Sequence, residues 1–248
     1  MMKLVRMVWR FFHLLAHVLA GMVGTAVYSW VLRISHDTPR YQRLIRWWLG
    51  GIVRILGGRV SVYGTPANRG VMMVCNHISW LDIPLLGGES SIRFLSKQEV
   101  KAWPVIGWLA TQAGTLYIER GRRGAAQEAA DSISDSLRNG EVVMVFPEGT
   151  TSDGAEVLPF HARLFASVID ADAAVQPVAI RYRDASGVLS ELVPYLDDVS
   201  LWHNLLGILA QAHMDIEVHY LPPFKVAGQS RKALATLSET QISQTLSS

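Results

Sequence analysis

The chain has 248 residues, half of them apolar, a net charge of +2 and one cysteine, Cys75. That length suffices for one domain with a full core, and a lone cysteine excludes an intramolecular disulfide framework. The charge is uneven: residues 1–60 carry nine Lys or Arg against one acid, Asp37, a balance of +8, and the rest of the chain balances at −6.

A basic, apolar N-terminal section on an acidic body points to a lipid bilayer as partner. It argues against nucleic acid, because these cations sit among Trp, Leu and Ile rather than on a hydrophilic stripe. Residues 11–32 lack a formal charge, and at about 1.5 Å per residue they reach across roughly 30 Å of hydrocarbon. Lys3, Arg6 and Arg10 flank one end and Arg33, Arg40, Arg43 and Arg46 the other, so charge gives no orientation. A helix dipping into one leaflet with both flanks on the same side accounts for this, and a cleaved signal peptide is the competing reading. In residues 41–57, Arg43, Arg46 and Arg54 recur on one helical face, with Leu44, Trp48, Ile52, Ile55 and Leu56 on the other, the pattern of an interfacial helix. An amphipathic helix packed on the core explains the same pattern. His13 and His17 have a metal-compatible spacing but no third ligand nearby, so no metal site is expected.

From residue 58 short β-rich runs alternate with helical patterns. Strands are predicted at 59–63, 71–75, 92–96, 115–119, 142–146, 175–181 and 216–220, and helices at 81–87, 98–100, 105–113, 124–138 and 162–169. Uninterrupted apolar strands such as VVMVF imply a sheet covered on both faces, hence an α/β domain with a buried mixed sheet flanked by helices. The expected division is membrane-associated helices over 1–57, a domain over 58–228 and a polar tail, 229–248, fraying from a terminal helix.

The chemistry-bearing segment follows the second strand: Asn76, His77, Ile78, Ser79, Trp80, Leu81, Asp82. His77 and Asp82 are five apart, which is not one helix face. They meet if His77 lies in the turn after the strand and Asp82 in the first turn of the next helix, where Pro84 is tolerated. Asp82 then holds one imidazole nitrogen and leaves the other as a general base. Alone, a histidine beside a capping aspartate is as well read as structural. Cys75 ends an apolar strand, which favours a packing thiol over a nucleophile. The proline in 175–180 suggests an edge strand or a special backbone site.

NHISWLD (76–82), GTLYIER (114–120), FPEGTTS (146–152) and VQPVAI (175–180) appear in this order. Together they resemble the four motifs of the glycerol-phosphate acyltransferase family, specifically the 1-acyl-sn-glycerol-3-phosphate acyltransferases. The resemblance implies that His77 takes the proton of a lysolipid hydroxyl as it attacks an acyl thioester, with Asp82 supporting the imidazolium. It implies an acceptor site built from Asn76, Ser79, Arg120, Glu148, Gly149 and Thr150, with Pro177 shaping its wall. It further implies no cofactor beyond a co-substrate, an acyl thioester of acyl carrier protein or coenzyme A, and an active site on the cytoplasmic side of a bacterial inner membrane. The acceptor so implied is 1-acylglycerol-3-phosphate. Two positions depart from the family pattern: Glu119 stands where Asp is usual, and His161 where a lysine commonly follows the third motif. His161 opens the alternative of lyso-ornithine lipid or another phosphate-free acceptor. A membrane thioesterase is the reading from another class, against which no G-x-S-x-G elbow or H-E-x-x-H pair occurs in the chain.

Overall fold

The structure, a computed structural model, describes residues 2–119, 124–196, 199–226 and 228–247. The described residues form an α/β domain around one eight-stranded mixed sheet. The strands are β1 (Gly58–Gly64), β2 (Val71–Cys75), β3 (Arg93–Lys97), β4 (Leu116–Ile118), β5 (Val142–Val145), β6 (Ala174–Arg183), β7 (Met214–Tyr220) and β8 (Phe224–Lys225). Their order is β1-β7-β6-β2-β5-β3-β4, with β8 also on β6. β2 runs parallel to both β5 and β6, and β6 is antiparallel to β7.

β2 shows why the apolar runs are continuous. Val71, Met73 and Cys75 face one hydrophobic cluster, and Met72 and Val74 face the other. The period of two is hidden because both faces are covered. The first face carries α2 (Pro39–Ile55), α3 (Asp82–Glu89) and α8 (Leu201–Ala210); the second carries α6 (Ala125–Arg138), α7 (Ala166–Asp170) and α9 (Arg231–Ser247). Two short helices, α4 (Gln98–Lys101) and α5 (Ile106–Gln112), link β3 to β4.

α2 starts as its sequence dictates: Thr38 caps it through Oγ1, accepting from the Tyr41 amide, and Pro39 fills the first turn. α6 stops at Asn139, and Gly140 turns the chain at a φ of +80°.

Three expectations need correction. The tail over 229–248 does not fray within the described residues: α9 buries Leu234, Ala235, Ser238 and Ile242 against the second face of the sheet. Its sequence looks polar because small residues, Ala and Ser, fill half of its buried side. β6 is not an edge. Pro177 sits where its neighbour changes from β8, which pairs with Ala174 and Val175, to β7, which pairs from Val178 onward. The missing N–H falls in that gap, and the Pro177 carbonyl accepts from the Leu221 amide at 3.0 Å. The first helix, α1 (Met2–Ala26), starts nine residues before the uncharged run and continues as a π turn to Val31.

Met2–Val31 is long and apolar enough, by length and composition, to cross a membrane. It nevertheless lies along the body. Arg6 and Arg10 donate to the carbonyls of Leu209, Ala210, Gln211 and Ala212 at and just beyond the end of α8, a favourable place for cations. Phe11 meets Trp202 edge-on, with ring centroids 5.9 Å apart. His17 and Trp48 bond each other's carbonyls, at 2.8 and 3.1 Å. The outer face of α1 stays bare: Val5, Trp9, Phe12, Leu19 and Val23 are exposed.

Candidate active site

The parallel strands β2 and β5 end on one rim of the sheet, where their loops meet. His77 occupies the turn leaving β2, and Asp82 is the first residue of α3. His77 Nδ1 and Asp82 Oδ2 are 2.7 Å apart. Since a carboxylate only accepts, the imidazole proton sits on Nδ1 and the Nε2 lone pair is free to act as a base. Among the described residues Nε2 has no hydrogen-bond partner. The ring stacks on Phe146 at a centroid distance of 4.0 Å, which fixes its plane.

Asp82 is fully buried and its charge is compensated locally. Oδ2 also accepts from the amides of Ile78 at 2.8 Å and Ser79 at 3.0 Å, and Oδ1 accepts from the Tyr182 hydroxyl at 2.7 Å. Four donors on one buried carboxylate fix its position and satisfy both oxygens, as burying a polar group demands. Tyr182 is 100 residues from Asp82 and belongs to none of the four motifs. Burial next to Asp82 pushes its phenol well up, so it remains a donor. The one signal for it in the sequence is a tyrosine continuing an apolar strand, since a buried Tyr needs a partner.

The FPEGTTS turn braces the histidine from behind. Glu148 Oε1 accepts from the His77 amide at 3.1 Å, and the Leu158 amide also lies against its carboxyl group. Its Oε2 is buried without a partner, and burial raises the carboxyl from 4.5 to about 7. The Ser152 amide donates to the His77 carbonyl at 2.8 Å, and Thr151 Oγ1 to the Tyr195 carbonyl. Gly149 turns at a φ of +75°, a conformation glycine adopts without strain. A side chain there would also press on the His161 ring, whose Cδ2 lies 3.1 Å from the position of its Cβ. Thr150 is exposed at the tip of this turn. His161 thus stands over the third motif, its amide bonded to the Pro147 carbonyl.

The remaining motif residues divide. The Asn76 side chain is buried and bonds the Ile180 backbone in both directions, at 3.0 and 2.9 Å, so it ties β2 to β6 instead of facing an acceptor. Ser79 is buried too, its amide on Asp82 and its hydroxyl without a partner among the described residues. Pro177 shares the sheet face of Val175 and Ala179, opposite to that of Ile180 and Tyr182, so it does not wall the histidine's side. Cys75 is buried, and burial, with Asp82 and Glu148 nearby, pushes its thiol well up, as a packing residue requires. Trp80 Nε1 donates to Asn204 Oδ1 at 2.8 Å, pinning α8 beside the turn that carries His77. Arg120, with Arg122 and Arg123, lies outside the described residues. No cluster of His, Cys, Asp or Glu suited to a metal occurs among the described residues.

A base held by a buried carboxylate, with a free nitrogen at a sheet rim, is equipped to deprotonate a hydroxyl. Comparison with known proteins agrees in kind. Residues 59–181 match the Acyltransferase family model. The chain is 39% identical over 231 residues to the lyso-ornithine lipid O-acyltransferase of Pseudomonas aeruginosa, covering 90% of this chain and 89% of that one. It is 39% identical over 161 residues to the 1-acyl-sn-glycerol-3-phosphate acyltransferase of Neisseria gonorrhoeae, covering 64% of this chain and 63% of that one. In fold it resembles the crystal structure of the 1-acyl-sn-glycerophosphate acyltransferase PlsC from Thermotoga maritima, with a TM-score of 0.66, 22% identity and 96% of each chain covered.

Proposed function

Because this chain belongs to the glycerolipid acyltransferase family, we propose that it moves a fatty acyl group from a thioester to the free hydroxyl of lyso-ornithine lipid. His77 Nε2 takes the hydroxyl proton as the oxygen attacks the thioester carbonyl, and Asp82 stabilises the imidazolium that forms. Collapse of the tetrahedral intermediate breaks the C–S bond, and the imidazolium proton passes to the thiolate. The products are an ester and a thiol, and no cofactor enters. The donor is an acyl thioester of acyl carrier protein or coenzyme A. Arg120 grips the acceptor headgroup, and Gly149 and Thr150 border it. Glu148 acts from behind, holding the main chain of His77.

The observation that carries the choice of acceptor is His161 against Gly149. A phosphate dianion is best met by a permanent cation there. An ornithine headgroup brings its own ammonium, which a lysine repels and an imidazole does not. The relative aligned over nearly the whole chain carries the name of the same acceptor. This reverses the order the motifs alone imply. The second reading, transfer to 1-acylglycerol-3-phosphate, rests on the Neisseria relative.

The bare face of α1 with Trp47 supports a lipid surface as the partner; in this reading α1 lies along the interface and the rim with His77 faces the cytoplasm. The test of the acceptor is a competition assay with purified protein in detergent, offering both lysolipids and an acyl thioester. The reading predicts preferential acylation of lyso-ornithine lipid, and His161→Lys shifting the ratio toward the phosphate acceptor. Preferential acylation of lysophosphatidic acid by the wild type contradicts it.

A further inference from the structure

A groove of about 460 Å³ runs between α2, α3 and the start of β1, and neither His77 nor Asp82 lines it. Arg43, Arg46, Trp47, Gly50 and Arg54 face it from α2. At about 100° per residue these positions lie within roughly 100° of arc, a single face. Gly50 and Gly88 meet backbone to backbone: a Cβ on Gly88 would stand 2.7 Å from the Gly50 Cα. No side chain from either residue therefore fills the groove.

Among the described residues the three arginines have no anionic partner. Elsewhere Arg93 pairs with Asp37 and Glu141, and Arg181 and Arg183 with Glu217. Arg43, Arg46 and Arg54 form no ion pair with any described residue. Glu89, on the opposite wall, forms none with them. The Arg46 Nε is buried without an acceptor, a donor that costs free energy unless something outside the chain satisfies it. Trp47 and Arg54 also border a second groove of about 430 Å³, whose other wall is Trp9, His13 and His17 of α1. One trough thus leads from the exposed apolar face of α1 to three guanidinium groups without an ion pair among the described residues, of which Arg43 Nε donates to the Pro39 carbonyl at 3.3 Å.

We propose that this trough binds one anionic phospholipid of the bilayer, its phosphate among Arg43, Arg46 and Arg54 and its acyl chains along α1. Guanidinium groups match phosphate geometry. Trp47 suits the boundary between headgroup and chain. The site is separate from that of the acceptor and holds the chain to the leaflet by a discrete contact rather than by diffuse attraction.

The test titrates full-length protein in a zwitterionic detergent with short-chain phosphatidylglycerol, counting bound lipid by native mass spectrometry. Saturation at one lipid per chain is expected, with affinity falling at least tenfold in Arg43→Gln/Arg46→Gln/Arg54→Gln and by a smaller factor in Arg46→Gln alone. Arg138→Gln/Arg231→Gln/Lys232→Gln, removing the same charge from the opposite side of the sheet, should bind as the wild type does. Phosphatidylcholine and inorganic phosphate at equal concentration should not compete. Undiminished binding by the first triple variant overturns the proposal, as does equal loss in the second. Competition by inorganic phosphate reduces the site to a plain anion site and overturns its lipid character. Each readout is independent of acyl transfer, so its failure is distinguishable from failure of the enzymatic reading.

Discussion

The two sides of the sheet are built from similar apolar material and end in different outer surfaces. On the α6–α9 side, Ile133, Val168, Leu234 and Ile242 are buried, and the helices turn polar residues outward. On the α2–α3–α8 side a further helix, α1, is laid over the packed layer, and its outer face of Val5, Trp9, Phe12 and Leu19 is bare. A contiguous apolar surface of that kind marks an interaction site. The turn carrying His77 lies on the same side: Asp82 opens α3, and Trp80 is tied to α8. In the proposed reading, the layer that meets lipid is the one that carries the chemistry. A lysolipid hydroxyl can reach His77 without its acyl chain crossing the polar side of the molecule.

The largest effect that sharpens this contrast belongs to the buried carboxylate. Asp82→Asn can keep its oxygen toward His77, Ile78 and Ser79 and its amide toward Tyr182. The fold should survive while the imidazolium loses its counter-charge. The expected loss in kcat is roughly 10²–10⁴-fold. Tyr182→Phe removes one of the four bonds and should lower kcat about tenfold, a charge-assisted hydrogen bond being worth about 1.5–3 kcal/mol. Equal activity of Tyr182→Phe and wild type across pH would leave Tyr182 a packing residue only.

On the other side, Ile242→Ala leaves a cavity under α9 and should lower stability by about 2–5 kcal/mol, measured by denaturant unfolding in detergent. An unchanged midpoint would mean that the terminal helix is dispensable.

Glu148 gives an effect of intermediate size. Its carboxyl is raised from 4.5 to about 7, so the folded chain holds the proton more tightly than the unfolded one. Stability is then greatest at low pH with respect to this group, falls between about 4.5 and 7, and is flat above. The fall should be on the order of 3 kcal/mol. Glu148→Gln keeps an oxygen for the His77 and Leu158 amides and should lack that slope. A parallel pH profile of melting temperature in the two proteins would contradict it.

The smallest effect on stability, and the most telling about solvent, is on α1. Trp9→Gln with Phe12→Gln should change unfolding by no more than about 0.5 kcal/mol, yet reduce co-sedimentation with phosphatidylglycerol vesicles severalfold. Loss of folding instead would place that face in a protein contact.

The sheet was largely legible because its strands are short, apolar and bounded by turns; β2 runs over the predicted residues and the first seven strands all appear. β8, two residues long, offers no pattern to detect. α8 is mostly apolar, with only His203 and Asn204 polar, and gives no clear period. In α9, Ala and Ser on the buried side weaken the hydrophobic contrast. Within the site, the meeting of His77 and Asp82 followed from local geometry, a turn and a helix start. Tyr182 and Asn204 reach it from 100 and 124 residues away, and spacing does not encode such contacts. The motifs also do not separate residues that face substrate from those that hold the frame. Asn76 and Pro177 belong to the second kind, tying β2 to β6 and bridging two neighbours of β6.

The most direct test of the account is acyl transfer by purified wild type and His77→Ala in detergent, with an acyl thioester and either lysolipid as acceptor. The account predicts ester formation by the wild type and a loss of at least 10²-fold in the variant, with its melting temperature kept, because the ring stacks on Phe146 at a half-open rim. Undiminished transfer by His77→Ala, or release of free fatty acid indifferent to added lysolipid, would contradict it.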